Sequence, residues 1–156
     1  MMQRRSLLAV LPALTSLPAL AHHGWSSFDQ ERPIYLSGRA AKVAWGNPHA
    51  ELQLELPENL ALPADFAKRS LPRQTAAVDG AALLAKAKVP TRRDRRWEVE
   101  LAPLTRMQAW GVEEIKPGAE IAVLGFTFAG EQGEPVLRAE YLFVGDKVYG
   151  LRSSPA

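Results

Sequence analysis

Short runs of alternating apolar and polar residues, separated by glycine and proline, constrain the fold of this chain more than any other feature. Residues 50–56, AELQLEL, and residues 95–103, RRWEVELAP, each put every second side chain on one apolar face. This period of two predicts half-buried β-strands rather than helices. The other predicted strands lie within residues 34–45, 118–130, 136–144 and 147–151.

These strands predict one mainly β domain with the architecture of a small OB-fold-like barrel. A closed or partly closed barrel is favoured because closure removes the exposed edges that so short a sheet would otherwise present. A small β-sandwich is the alternative. The apolar spacing between Leu104 and Trp110 indicates a short helix, and a length of 156 residues suits a single hydrophobic core.

The first 21 residues, MMQRRSLLAVLPALTSLPALA, have the three parts of a secretory signal peptide. A basic start precedes an apolar stretch over residues 7–20 and a cleavage pattern at Ala19-Leu20-Ala21. The stretch is too short to span a bilayer comfortably, and Arg4-Arg5 resembles a twin-arginine signal. We therefore predict cleavage near Ala21, a mature domain of residues 22–156, a periplasmic or secreted location, and no membrane-spanning segment after cleavage.

A basic helical insertion is predicted at about residues 57–96, between two strands. The segments PADFAKRS (63–70) and DGAALLAKAKV (79–89) have helical composition with proline or glycine at their borders. Between Lys68 and Arg96 the only acidic residues are Asp79 and Asp94, against the basic residues Lys68, Arg69, Arg73, Lys86, Lys88, Arg92, Arg93, Arg95 and Arg96. Such charge runs usually lie on solvated faces, and the alternative is a surface that docks an acidic partner or membrane lipid.

Cleavage after Ala21 would make His22 the first residue of the mature chain. The free α-amine and imidazole of an N-terminal histidine can close one chelate ring on a metal, and a second imidazole adds a third nitrogen, the arrangement called a histidine brace. His49, in the turn Gly-Asn-Pro-His, or His23 could supply that nitrogen, and Asp29 is a candidate oxygen ligand. Three nitrogens in a near-planar set favour Cu(II). The sequence therefore predicts a copper site at His22, His23, His49 and Asp29.

Structural roles for the same histidines remain open alternatives. His23 could simply be exposed in a flexible start, and His49 could fix its turn by hydrogen bonding. Two tryptophans, Trp25 and Trp45, lie within four residues of a histidine and could wall a site, although tryptophan in a barrel most often packs in the core or at its rim.

Several classes of function are excluded or disfavoured by composition. The absence of cysteine excludes thiolate metal sites and cysteine nucleophiles, and a net charge of +2 is too small to indicate nucleic acid as a partner. The chain has no phosphate loop, no G-x-S-x-G and no H-E-x-x-H motif. We therefore expect a periplasmic, non-enzymatic copper-binding protein. The alternative is a metal-free module that binds another envelope protein, and a copper-dependent oxidative enzyme ranks last because no substrate-binding signature is visible.

Four segments of the chain, AHHGWSSFD, LSGRAAKVAWGNPHAELQLEL, WEVEL and IKPGAEIAVLGF, resemble the domain of unknown function 6152 family of small exported bacterial proteins. The matching residues in the first two are His22, His23, Phe28, Asp29, Gly38, Trp45, Asn47, Pro48 and His49. The chain departs from the family in Gly24-Trp25, where Ser-Phe is commoner, and in its long insertion. The resemblance implies an exported β-barrel-like domain with no established activity. It also favours a shared site, because the three histidines fall within the two most recognisable segments.

Overall fold

A computed structural model describes residues 24–156 of the chain, which contain six strands and two α-helices. The strands are β1 (Ile34–Ala44), β2 (Glu51–Glu55), β3 (Arg96–Glu100), β4 (Glu120–Phe126), β5 (Val136–Val144) and β6 (Lys147–Gly150). The α-helices are α1 (Gly80–Lys86) and α2 (Leu104–Ala109), and short 3-10 turns occupy Trp25–Ser27, Phe66–Lys68 and Ala129–Glu131. The strands and the short helix after β3 occur where the sequence predicted them.

The strands form a closed barrel with the connectivity of an OB fold. The order β3-β2-β1-β4-β5 is antiparallel throughout, and a parallel pairing of β3 with β5 closes the ring of five strands. The remaining strand, β6, forms a hairpin with β5 through Gly145. The OB-fold-like barrel predicted from the sequence is therefore confirmed, and the sandwich alternative is not adopted.

Two glycines allow the strands to bend tightly enough to close. A Cβ on Gly38 of β1 would collide with the carbonyl oxygen of Glu55, and one on Gly125 of β4 would collide with the carbonyl oxygen of Arg138. A register shift lies beside Gly125, where β4 meets β5, and another lies in β1 between Ala40 and Lys42. Glycines and bulges of this kind mark the corners of small barrels.

The barrel interior is filled by the alternating apolar residues of the strands. Its fully buried members include Leu36, Leu54, Trp97, Val99, Leu101, Val123, Leu137 and Leu142. Helix α2 packs onto this core through Met107, which is almost fully buried. The alternation that predicted the strands is thus the alternation between the barrel interior and its outer face.

The insertion between β2 and β3 covers part of the outer face of the barrel. Helix α1 begins as predicted, with Asp79 accepting a hydrogen bond from the backbone N–H of Ala82. The segment PADFAKRS forms only the 3-10 turn Phe66–Lys68, so the longer helix predicted there is wrong. Proline residues at both flanks of the segment limit the length of any helix that can form there. Phe66 and Leu84 pack instead on aromatic residues of the outer face, namely Tyr35, Tyr141 and Phe143.

Candidate functional site

His49 lies on the turn between β1 and β2, next to the ends of two other strands. The backbone N–H of Ala50 donates to the carbonyl oxygen of Ala102, which continues the pairing of β2 with β3. The Asn47–Pro48 peptide bond is cis. The side chain of His49 is half-buried rather than exposed, because residues of β3 and β5 lie beside the turn.

Arg138 is the side chain that contacts His49. Its Nη2 lies 3.2 Å from Nε2 of the imidazole. A guanidinium has donors and no acceptor, so in a hydrogen bond between these two groups Arg138 donates and the imidazole nitrogen accepts.

Glu100 holds the other end of the same guanidinium. The parallel register of β3 with β5 places Glu100 opposite Arg138, and Arg138 Nη1 lies 3.2 Å from Glu100 Oε2. Both side chains are only 6% exposed. Their neighbours Val99 and Leu137 point into the barrel, so Glu100 and Arg138 face outward. We call His49, Glu100 and Arg138 the His49 cluster.

One donor of this cluster is unsatisfied. Arg138 Nε is buried and has no hydrogen-bond partner, as is also true of Thr127 Oγ1. A buried polar atom without a partner costs about 1–3 kcal/mol. Two of the three guanidinium nitrogens of Arg138, Nη1 and Nη2, therefore make hydrogen bonds, and Nε does not.

The N-terminal segment lies directly over this cluster. The ring of Trp25 has the guanidinium carbon of Arg138 at 5.1 Å and that of Arg152 at 3.8 Å from its centroid, and it meets Phe126 edge-on at 6.4 Å. Trp25 therefore packs on the His49 cluster through Arg138, beside the histidine whose site the sequence suggested that it could line. Trp45 packs instead against the barrel core.

A second charged group also contacts Trp25. Arg152 Nε and Nη2 lie 2.7 and 2.6 Å from the same Glu140 oxygen, and Arg152 Nη1 donates to Gln30 at 2.9 Å. Gln74 donates to the remaining oxygen of Glu140 at 3.1 Å. We call Gln30, Gln74, Glu140 and Arg152 the Arg152 cluster. The side chain of Glu140 is completely buried.

Positive charge is therefore concentrated around Trp25. A third arginine, Arg106, donates to the carbonyl oxygen of Leu151 at 3.0 Å. Burial, followed by repulsion from Arg138, lowers the pKa of the Arg106 guanidinium, while Glu140 acts in the opposite direction.

The other predicted ligands have different positions. The side chain of Asp29 accepts a hydrogen bond from the backbone N–H of Glu31 at 3.1 Å, which is a local turn contact. The backbone N–H of Asp29 donates to the carbonyl oxygen of Thr127 at 2.9 Å and so joins this segment to the residue after β4. His22 and His23 lie outside the described residues. Within residues 24–156, no group of three or more histidine, aspartate or glutamate side chains is placed to hold a metal ion.

The outer face of β2 and β3, where OB folds bind oligonucleotides and oligosaccharides, is strongly charged. Its outward residues are Glu51, Gln53, Glu55, Arg96, Glu98 and Glu100, with no aromatic side chain among them. Arg39 and Arg96 hydrogen-bond to Glu55 and lower the pKa of its carboxyl group. This face therefore lacks the stacking platforms on which single-stranded nucleic acids bind.

Sequence reasoning missed Arg138 and Glu100. Arg138 lies in the run VLRAEYLFV, all but the last residue of which is buried. A charged residue inside so apolar a strand is almost never fully buried unless it is paired. The arginine in this apolar run therefore indicated a buried ion pair, although the alternation of residues alone could not identify the partner of Arg138.

The fold and the cluster together define a small OB-fold-like barrel with a charged, partly buried patch at the β1–β2 turn. The sequence model of a family of unknown function, DUF6152, matches residues 11–64, and this match confirms the predicted family resemblance over a segment that contains all three histidines. No curated protein and no solved structure matches the chain. Among residues 24–156, none of the helices has the length and apolar character needed to cross a membrane.

Proposed function

We propose that the protein is an exported, non-enzymatic metal-binding protein that holds Cu(II) through His22 and His49. His22 supplies its free amine and imidazole after cleavage at Ala21, and His49 supplies the second imidazole. His23 and Asp29 are further candidate ligands. The location is the periplasm or the exterior of the cell.

The observation that carries this proposal is the position of Trp25 over the His49 cluster. Trp25 follows His22 by three residues, and a chain spans at most about 3.6 Å per residue, or roughly 11 Å over that distance. The ring of Trp25 contacts Arg138, which in turn contacts His49. Trp25, which follows residue 22 closely in sequence, and His49, which lies far from it in sequence, therefore contact the same arginine.

The chemistry of His49 also suits a metal. A metal binds an imidazole nitrogen that carries no proton, and a hydrogen bond from Arg138 is also made to such a nitrogen. An amine and two imidazoles give the nitrogen set that Cu(II) prefers among divalent ions. A carrier or sensor of copper needs no further catalytic residue.

Copper titration of untagged mature protein tests the proposal. Mass spectrometry first establishes that the chain begins at His22, and calorimetry with a competing chelator then measures stoichiometry and affinity. We expect one tightly bound Cu(II), and an affinity at least about tenfold lower in His49→Gln, since even residues behind a metal ligand change affinity by 10- to 100-fold. One residue added before His22 should weaken binding as strongly.

A control variant makes the result specific. Arg39→Met removes a charge from the exposed pair with Glu55, which lies at the end of β2 away from His49, and should leave copper affinity unchanged. Stoichiometric binding that survives both His49→Gln and the N-terminal extension would rule out the brace.

A second candidate function is a metal-free module that docks another envelope protein. The observation that favours it is the His49–Arg138 hydrogen bond, which gives His49 a structural role without a metal. In that case copper stays at background in the wild type, while His49→Gln changes only the free energy of unfolding.

A further inference from the structure

We propose that a groove at the insertion end of β2 and β3 binds an acidic peptide segment of another protein. Three adjoining depressions form this groove, and Leu56 and Arg95 line all three of them. We call them together the Arg95 groove. The inference uses none of the histidines and does not depend on copper binding. It gives the second candidate function, a module that docks another envelope protein, a surface and a partner chemistry.

Exposed arginines follow one another along the Arg95 groove. The pairing of β1 with β2 and of β2 with β3 sets Arg39, Glu55 and Arg96 side by side across the three strands. Because neighbouring strands lie about 4.8 Å apart, the Cα atoms of Arg39 and Arg96 are separated by roughly 10 Å. Arg95 and Arg93 lie just before Arg96 in the chain and extend the row. Guanidinium groups are thus spread over a length that suits a linear anionic partner.

Two carboxylates of the groove are already held by arginine. Arg39 and Arg96 share the carboxylate of Glu55, with contacts of 2.7 and 3.2 Å, and lower its pKa. Arg92 binds Asp94 at 2.6 Å. Arg39 and Arg96 each use only Nη2 for Glu55, so their other donors stay available to a partner.

Arg95 and Arg93 carry charge that is held only weakly within the groove. Arg95 donates from Nε to the carbonyl oxygen of Leu56 at 3.3 Å, and its Nη1 lies 3.4 Å from Glu58. Both members of that ion pair are largely exposed, and such pairs are weak, so a carboxylate of a partner can replace Glu58. Arg93 is exposed and makes no hydrogen bond or ion pair with the described part of the chain. The remaining acid, Glu120, lies at the β4 end of the groove.

An apolar floor favours a peptide over other polyanions. The depression between the insertion and β3 has a volume of about 370 Å³, and Leu56, Leu60, Val89 and two prolines line it. Leu60 and Val89 are only half-buried, so they present apolar surface to the groove. An apolar side chain of an acidic peptide would cover this surface, which a chain of charged and hydroxyl groups does much less well. A bilayer surface is planar and would contact the rim of the groove without reaching this floor.

Titration with a synthetic peptide, followed by ¹⁵N–¹H spectra of the untagged protein, tests the proposal. The probe is a glutamate-rich peptide with blocked termini and a central leucine. One control peptide replaces the leucine by glutamine, and the other replaces every glutamate by glutamine. We expect the first control to bind more weakly than the probe and the second not to bind. Binding of the probe should weaken as salt is added, because exposed charges are screened, and the signals that move should be those of Arg39, Glu55, Arg93, Arg95 and Arg96.

A pair of charge-matched variants locates the binding surface. Arg93→Gln/Arg95→Gln should weaken binding of the probe about fivefold or more, since each exposed ion pair contributes up to about a factor of five. Lys42→Gln/Lys147→Gln removes the same charge from exposed lysines that line none of the three depressions, and should leave the affinity unchanged.

The opposite change tests the shared carboxylate. Glu55→Gln frees Arg39 and Arg96 and should tighten binding of the probe about two- to fivefold. Glu113→Gln makes the same change in net charge at an exposed residue outside the groove and should have no effect.

Three results would overturn the proposal. Equal losses in the arginine and lysine variants would mean that binding follows net charge alone. A wild-type protein that does not bind the probe at low ionic strength has no such groove. Vesicles containing phosphatidylglycerol that bind through Arg93 and Arg95, without binding of the probe, would assign the surface to a membrane. His49→Gln, which tests the copper site, should leave binding of the probe unchanged, so the two proposals fail separately.

Discussion

Two arginines contact the ring of Trp25, and they differ in how many of their donors make hydrogen bonds. Arg152 uses all three guanidinium nitrogens, two on Glu140 and one on Gln30. Arg138 uses two, on Glu100 and His49, and leaves a buried Nε without a partner among the described residues. The side chain of Arg138 is the more buried of the two, at 6% exposure against 25%, so the arginine with the unpaired donor is also the deeper one.

The difference separates a structural contact from one that can change. A network in which every donor and acceptor is paired resists rearrangement, because each broken bond leaves a buried polar group. Arg138 has one donor that is already unpaired and a histidine as one of its acceptors, so its movement would break fewer hydrogen bonds. A proton or a metal on the histidine can take the place of the hydrogen bond from Arg138. We therefore expect the Arg152 cluster to contribute more to the stability of the fold than the His49 cluster does.

Breaking the Arg152 cluster should have the largest effect on stability. Arg152→Met leaves Glu140, whose side chain is completely buried, with Gln74 as its remaining partner. Removal of one member of a buried ion pair costs about 3–5 kcal/mol. We expect a loss of that size in the free energy of unfolding, measured by urea denaturation with tryptophan fluorescence.

The matched control is Glu140→Gln combined with Arg152→Met, which removes both charges and should recover most of the loss. A decrease below about 1 kcal/mol in the single variant, the value typical of a surface pair, would show that the Arg152 cluster is not structural and would remove the contrast with Arg138.

The sequence predicts local features of this barrel well. Alternation over residues 50–56 and 95–103 identified β2 and β3, since a strand with one buried face must alternate. The helical composition of residues 79–89, with glycine at its border, likewise located α1. In each case the decisive interactions lie within a few residues of one another, so a short window of sequence contains them.

The candidate site was predicted only in part, because its other half depends on barrel closure. His49 and Trp25 could be singled out from their residue types and neighbours. Arg138 reaches His49 across 89 positions, and Glu100 across 38, only because β5 pairs in parallel with β3. No local pattern encodes that register.

Glu131 offers a third case for comparison with Glu100 and Glu140, because it is a buried carboxylate bound mainly by backbone N–H groups. It accepts from the N–H groups of Thr91 and Arg92 at 2.9 and 3.0 Å and from Arg32 at 2.8 Å, with a side chain only 3% exposed. Its φ of 54° is in the left-handed region. Burial raises its pKa, but the hydrogen bonds from Arg92 and Thr91 and the charge of Arg32 outweigh burial, so the pKa of Glu131 is lowered.

This lowered pKa predicts a loss of stability in acid. Because the carboxyl group is more acidic in the folded state than in the unfolded state, its contribution is complete at neutral pH. It is lost as the pH falls from about 5 through the folded pKa. Glu131→Gln should cost about 1–3 kcal/mol at pH 7, and the difference from wild type should shrink towards pH 3. A difference in unfolding free energy that is the same at both pH values would mean that Glu131 is not the titrating group.

We expect the smallest loss of unfolding free energy for Arg138→Met. The size of this loss decides whether Arg138 and Arg152 differ in their structural roles. Arg138→Met removes the partner of Glu100, but it also removes the buried, unpaired Nε, whose cost of about 1–3 kcal/mol offsets part of the loss. We expect the free energy of unfolding to fall by about 1–2 kcal/mol, well below the loss in Arg152→Met. Urea denaturation of the two variants side by side measures this directly. Equal losses would mean that both arginines are structural, and that His49 is held as firmly as the buried carboxylate of Glu140.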